Sequence, residues 1–231
     1  MKPALAKKLL AQTVENYSAI AEDWHQSRQG KFWPDILFFQ QYVKTGDQVL
    51  DVGCGNGRFL AVLEDRDIEC TGLDNCQPLL DIAQDNFKGR AKFVKGDVLD
   101  LPFTDSRFSV VVCIAVLHHI PSKQLRKQAI SELKRVLKPG GTLILAVWDI
   151  YNKLYLKLVL KYFFLKIFGF SQMDFKDVLM PFNHRVNRYL HGFTQKEFKR
   201  LAESAKLKIL ETGRSQRTKR GNRSLYIICQ K

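Results

Sequence analysis

Residues 49–59 read VLDVGCGNGRF, an apolar run closed by the acid Asp51 and followed by glycines at 53, 55 and 57. Glycines at this spacing let the backbone turn tightly and let a ligand approach closer than a side chain would allow. Two further acids extend the pattern. Asp74 ends the run IECTGLD, 17 residues beyond Gly57, where a carboxylate can take both hydroxyls of a ribose. Asp97, in KGDVLDLPF, is suited to an adenine amino group. Together they make a donor set for a nucleoside-bearing ligand. A dinucleotide site typically spaces its glycines G-x-G-x-x-G, to aim helix amides at a pyrophosphate. Here the third glycine comes one residue early and Asn56 occupies the turn. That spacing favours a ligand without phosphates.

The elements that must position these residues alternate. QVLDVG, IECTGLD, AKFVKGD, FSVVVCIAVL and TLILAVW read as strands, the fourth apolar on both faces as a buried parallel strand should be. Between them GRFLAVLEDR, QPLLDIAQDNF and SKQLRKQAISELKRVLKPGG have helical spacing; the last opens at Ser122 and closes at Pro139-Gly140-Gly141. Such alternation implies crossover connections and a parallel sheet covered on both faces. After Trp148 the rhythm breaks. YNKLYLKLVLKYFFLKIFGF sets Lys153, Lys157 and Lys161 on one helical face among aromatic and aliphatic residues. TQKEFKRLAESA has capping-box spacing between Thr194 and Glu197, and LKILETG and SLYIICQ read as a closing strand pair. The first 45 residues read as mostly helical, with a break at Trp33-Pro34.

The 231 residues carry a net charge of +14. Residues 151–231 hold 18 of the 37 Lys and Arg but 5 of the 23 Asp and Glu, so nearly all the surplus lies in the C-terminal third. A one-sided basic field attracts polyanions, nucleic acid or an acidic membrane surface. Five scattered cysteines without C-x-x-C spacing argue against a disulfide framework or a structural zinc and for a reducing cytosol. No apolar run reaches the roughly 18 residues of a membrane span, and the N-terminus lacks a signal-peptide pattern, so a cytoplasmic protein without stable membrane insertion is expected.

The glycine turn, Asp74, Asp97 and the fourth strand together resemble the class I S-adenosylmethionine-dependent methyltransferases over roughly residues 46–148. The resemblance implies S-adenosylmethionine as cofactor and a Rossmann-like α/β fold: a mostly parallel seven-stranded sheet, helices on both faces and an antiparallel last strand. The cofactor residues it implies are Tyr17, Asp51, Gly53, Gly55, Gly57, Asp74, Asn75, Asp97, Val98 and Ala115, with no metal. One methyltransferase domain over 1–231 is expected. It comprises a helical cap (1–45), the cofactor core (46–148), an insertion over the acceptor (149–193) and a closing helix and strand pair (194–231).

YSAIAEDWHQSRQGKFWP, AVLHHIPS, AVW, DVLMPFN and RYLHGF, in that order, resemble the tRNA wobble-uridine carboxymethyl methyltransferases over nearly the whole chain. That resemblance implies methyl transfer to the carboxylate of a carboxymethyl group on uridine 34, giving a methyl ester. A carboxylate with a pKa of about 4 is already ionised, so the task is orientation rather than base catalysis. Arginine binds a carboxylate at two points. Arg28, His118, His119, Arg188 and Tyr189 are the candidate catalytic residues, although a histidine of this pair can pack locally and Tyr189 can equally be core. His191 and the basic segment RSQRTKRGNRS (Arg214, Arg217, Lys219, Arg220, Arg223) are candidate contacts to the anticodon arm, the segment through phosphates. The family tends to place an aromatic after Asn222; this chain has Arg223, which leaves the charge role and weakens a stacking one. The resemblance also implies a small zinc-binding activator as a partner. Two other readings stay open: a small-molecule or lipid methyltransferase, and a non-catalytic RNA-binding relative.

Overall fold

The computed structural model describes residues 1–29, 32–216 and 222–231. Three helices come first: α1 (Pro3–Ala19), α2 (Ala21–Gln26) and α3 (Pro34–Phe39). The alternating core follows as β1 (Gln48–Val52), α4 (Arg58–Ala61), β2 (Glu69–Asp74), α5 (Gln77–Phe87), β3 (Lys92–Lys95), β4 (Phe108–Ile114), α6 (Lys123–Val136) and β5 (Leu137–Asp149). Then come α7 (Leu156–Ile167), β6 (Asp177–Phe182), β7 (Val186–His191), α8 (Gln195–Ser204), β8 (Lys208–Gln216) and β9 (Arg223–Gln230).

Seven strands form one sheet in the order β3-β2-β1-β4-β5-β9-β8. β1 to β5 pair in parallel, and β9 runs antiparallel to both β5 and β8. The two-residue period of a strand divides the core cleanly. Leu50, Val111, Leu143, Leu145, Leu225 and Ile227 point to one face, where Ile130 and Leu133 of α6 and Phe198 of α8 cover them. Val49, Val110, Val112, Ile144, Ala146 and Ile228 point to the other, against Phe39 of α3, Phe59 of α4 and Phe87 of α5. Burial on both faces is why these strands read as continuous apolar runs.

Three local features differ from the sequence expectation. The helix expected over 57–66 shortens to α4, a single turn. α6 ends at Val136, and Pro139-Gly140-Gly141 lie inside β5, where the β4 register shifts between Phe108 and Val110. A proline–glycine pair suits that irregularity better than a helix end. β6 and β7 form a separate antiparallel hairpin, paired from Asp177–His191 to Phe182–Val186. Half of the expected capping box forms: the Glu197 N–H donates to Thr194 Oγ1 at 3.3 Å, while the Glu197 carboxylate is taken by His191 and Lys176. Among the described residues no helix is long and apolar enough to cross a membrane, and all five cysteines are free.

Candidate active site

The carboxyl ends of β1, β2 and β4 open into a cavity of about 400 Å³, the edge at which open α/β sheets bind ligands. Helices α1 and α2 form its outer wall. Of the expected residues, Tyr17, Arg28, Asp51, Gly53, Gly55, Asp74, Asn75, Asp97, Val98, Ala115 and His119 all line it.

The floor is a glycine turn tied to β2. Gly53 and Cys54 donate to the Leu73 carbonyl at 2.7 and 3.0 Å, and Gly55 N–H donates to Asp74 Oδ2 at 2.8 Å. Gly53 has φ +73°, and a Cβ there would lie 2.1 Å from Val116 Cγ2. Packing against the β4 edge therefore already excludes a side chain at this position. Gly57, at φ +83°, does not line the cavity but turns the chain into α4 as its N-cap.

Asp51, the penultimate residue of β1, is 3% exposed. Burial, with the nearby Asp74 charge second, pushes its carboxyl up to about 8. Burial also raises Asp74, although N–H donors from Cys76, Gly55 and Asn75 pull the other way. Two acids, Asp51 buried and Asp74 partly buried, with no cation salt-bridged to either among the described residues make a floor that favours a positively charged guest. This donor set fits S-adenosylmethionine, which carries an ammonium, a sulfonium and a ribose diol. Among the described residues no group of three or more His, Cys, Asp or Glu could hold a metal ion.

The far wall centres on His119. Its Nδ1 lies 2.8 Å from the Tyr189 carbonyl oxygen, which can only accept, so Nδ1 carries the proton and Nε2 is left as an acceptor. The Tyr17 hydroxyl therefore donates to Nε2, at 2.9 Å. Burial, reinforced by the Arg188 charge, lowers His119 to about 3, so the ring is neutral at physiological pH. His118 instead accepts from the Trp148 backbone N–H at 3.3 Å and stacks tilted on the Trp148 ring. His119 lines the cavity; His118 supports Trp148, which also lines it.

The arginines divide between the two ends. The Arg28 guanidinium lies 4.2 Å from the Trp24 ring centre, and Trp24 covers Gly55, so Arg28 stands over the glycine turn. Arg188 sits behind the far wall, 5.2 Å from the Trp148 ring centre and 4.9 Å from that of Phe182. It is 4% exposed, its Nε and Nη1 are buried without a hydrogen-bond partner, and no acid is salt-bridged to it among the described residues.

Other expectations are corrected. Tyr189 is core, packed with Leu9 and Met173, and reaches the site only through its backbone carbonyl. His191 is 3% exposed and wedged between Asp177 (2.7 Å) and Glu197 (2.9 Å), where it cannot meet RNA without breaking both contacts. Against the upward push of burial, hydrogen bonds from His191 and Lys176 pull Glu197 down to about 2. Arg214 is in β8, exposed, and pairs with Asp149 at 3.2 Å; Arg223 opens β9. Arg217, Lys219 and Arg220 lie outside the described residues.

Trp24, Trp148, Arg58 and Lys7 also line the cavity and were not among the expected site residues. Trp24 had a signal in its four-residue spacing from Arg28, although α2 ends at Gln26 and Arg28 reaches the Trp24 ring from the turn that follows. Arg58 had none: its stack on Trp33, 4.1 Å from the ring centre, joins positions 25 apart in sequence.

A methyltransferase domain model matches residues 50–145. A protein of Encephalitozoon cuniculi that carries the name methyltransferase is 34% identical over 218 residues, covering 93% of each chain. A human protein named probable tRNA methyltransferase 9B is 38% identical over 148 residues, 64% of this chain, which spans only 32% of the human one. The Schizosaccharomyces pombe tRNA (carboxymethyluridine(34)-5-O)-methyltransferase is 29% identical over 220 residues, covering 85% of this chain and 89% of that one. Among solved structures, a SAM-dependent methyltransferase from Methanosarcina mazei superposes with a TM-score of 0.73 at 27% identity, over 84% of this chain and 96% of the other. With the sheet order, the glycine turn and the paired acids already in place, the chain belongs to the class I S-adenosylmethionine-dependent methyltransferases.

Proposed function

We propose that this methyltransferase esterifies the carboxylate of a carboxymethylated wobble uridine in tRNA. The observation that carries the reading is Arg188. A guanidinium buried without an acid is costly, and an arriving carboxylate relieves that cost. Its neighbours His119 and Trp148 line the end of the cavity away from the glycine turn. The names of the human and fission-yeast relatives support a tRNA acceptor.

When bound, S-adenosylmethionine supplies a methyl group on a cationic sulfur, open to in-line attack. Asp51 would hold its ammonium, Asp74 its ribose hydroxyls, and Asp97 with Val98 its adenine; Arg28, over the glycine turn, would take the same ligand's carboxylate. Arg188 would draw the acceptor carboxylate to the far wall, with Trp148 as a flat surface for the uracil. The nucleophile arrives ionised, so the neutral His119 has no proton to remove. It fixes Tyr17 instead, and catalysis is orientation. Arg214, Arg223 and the basic residues between them would contact phosphates of the anticodon arm. A small zinc-binding activator remains the proposed protein partner.

The test is transfer of labelled methyl from S-adenosylmethionine to bulk tRNA, then mild alkali. Label released as methanol is the expected result. Label that stays in the tRNA overturns the ester. Label found only in small-molecule acceptors overturns the tRNA.

A further inference from the structure

α7 leaves much of its surface uncovered. Its inner face, with Tyr155, Leu158, Val159 and Tyr162, packs on the cluster of Trp148, Ile150, Val178, Met180 and Leu190. Leu156, Leu160, Phe163, Phe164 and Ile167 recur at i, i+4, i+7, i+8 and i+11, so they form a second apolar stripe along one helical face, and each is 44–53% exposed. The stripe continues past the helix end into Phe168 and Phe170, 68% and 80% exposed. A contiguous apolar patch of this kind on a soluble domain marks an interaction surface. It is no part of the cofactor cavity.

Charge selects the occupant. From Ile150 to Met173 the chain has no acid and four lysines, 153, 157, 161 and 166. At 100° per residue, Lys157 and Lys161 of α7 follow one another along the border of the outer stripe, and Lys153 lies in the turn just before the helix. A second copy of this chain would bring the same lysines face to face. An anionic bilayer meets both requirements: its acyl boundary takes the phenylalanines while its headgroups take the ammonium groups at the ends of snorkelling lysine stems. We infer that α7, from Leu156 through Phe170, is a peripheral docking surface for anionic membranes, lying in the headgroup plane without spanning it. A twelve-residue helix is about 18 Å long, enough to lie in the interface and too short to cross it.

The experiment is co-sedimentation of the full chain with phosphatidylcholine vesicles, with and without phosphatidylserine. The doubly substituted Phe168→Asp/Phe170→Asp protein runs in parallel. Wild type is expected to pellet only with phosphatidylserine vesicles, and the variant to lose at least about tenfold in partition, since apolar insertion and charge act together. Both residues are exposed, so the variant should keep the wild-type melting temperature and S-adenosylmethionine affinity; Leu160→Asp is the second variant if it does not. Equal pelleting of wild type and variant would reassign vesicle binding to the basic C-terminal third and overturn the proposal. So would wild type left in the supernatant, or a lipid-free dimer that the substitutions dissolve. None of these readouts depends on the acceptor, so failure here leaves the tRNA reading standing.

Discussion

The Tyr17 hydroxyl of α1 donates to Nε2 of His119 at 2.9 Å across 102 positions of sequence, and their rings meet edge to face at 5.3 Å. This bond ties the helical N-terminal segment to the sheet edge, while the Tyr189 carbonyl sets which nitrogen of His119 bears the proton.

Tyr17→Phe removes that donor and leaves a buried nitrogen unpaired, a loss of about 1–3 kcal/mol. We expect a fall in kcat/KM of roughly ten- to a hundredfold. Because burial and Arg188 hold His119 down to about 3, the wild-type rate between pH 6 and 9 should show no histidine limb. A limb near pH 6.5 that vanishes in His119→Gln would refute the neutral assignment.

Asp51 makes cofactor binding depend on pH. Its carboxyl, pushed up to about 8, is mostly protonated below that pH, whereas a bound ammonium needs it ionised. S-adenosylmethionine affinity should therefore rise up to tenfold per unit from pH 6 towards 8, then flatten. The unfolded chain, with this group near 3.8, has already released the proton, so the ligand-free fold loses stability as pH rises across the same window. Asp51→Asn should abolish the slope. Calorimetric titration at several pH values, with wild type and variant side by side, reads both.

Arg188→Met separates activity from folding. Removing a buried charge that has no acid partner should leave the melting temperature unchanged or raise it. Methyl transfer to tRNA should fall by roughly two to three orders of magnitude with cofactor affinity intact, as for loss of one preorganised charge in a site. Lower melting temperature with normal turnover would reverse the assignment and make Arg188 structural.

His191→Ala should behave in the opposite way. It strips Asp177 and Glu197 of their shared partner at the junction of β6, β7 and α8, at a cost of about 3 kcal/mol. Chemical denaturation should report that loss while tRNA affinity under stabilising conditions is unaltered. Weaker tRNA binding in the folded variant would restore His191 to the interface.

The sheet and the cofactor floor were legible in the sequence because their determinants are local. β1, β4 and β5 announce themselves by apolar runs, since a strand buried on both faces has no polar alternative, and Asp51, Gly53 and Asp74 fall at or beside strand ends where the turn requires them. The acceptor end was legible only as residue types. RYLH gives an arginine, a tyrosine and a histidine within four positions. The β6–β7 hairpin then points Arg188 towards Trp148, sends Tyr189 into the core with Leu9, and locks His191 between two acids. Neighbouring residues on a strand alternate faces, and which face meets the cavity depends on a register fixed by Asp177↔His191 pairing and by α7 packing above it. The division between His118 and His119 has the same origin: their partners, Trp148 and Tyr17, are distant in sequence and adjacent only once the sheet edge and α1 have come together.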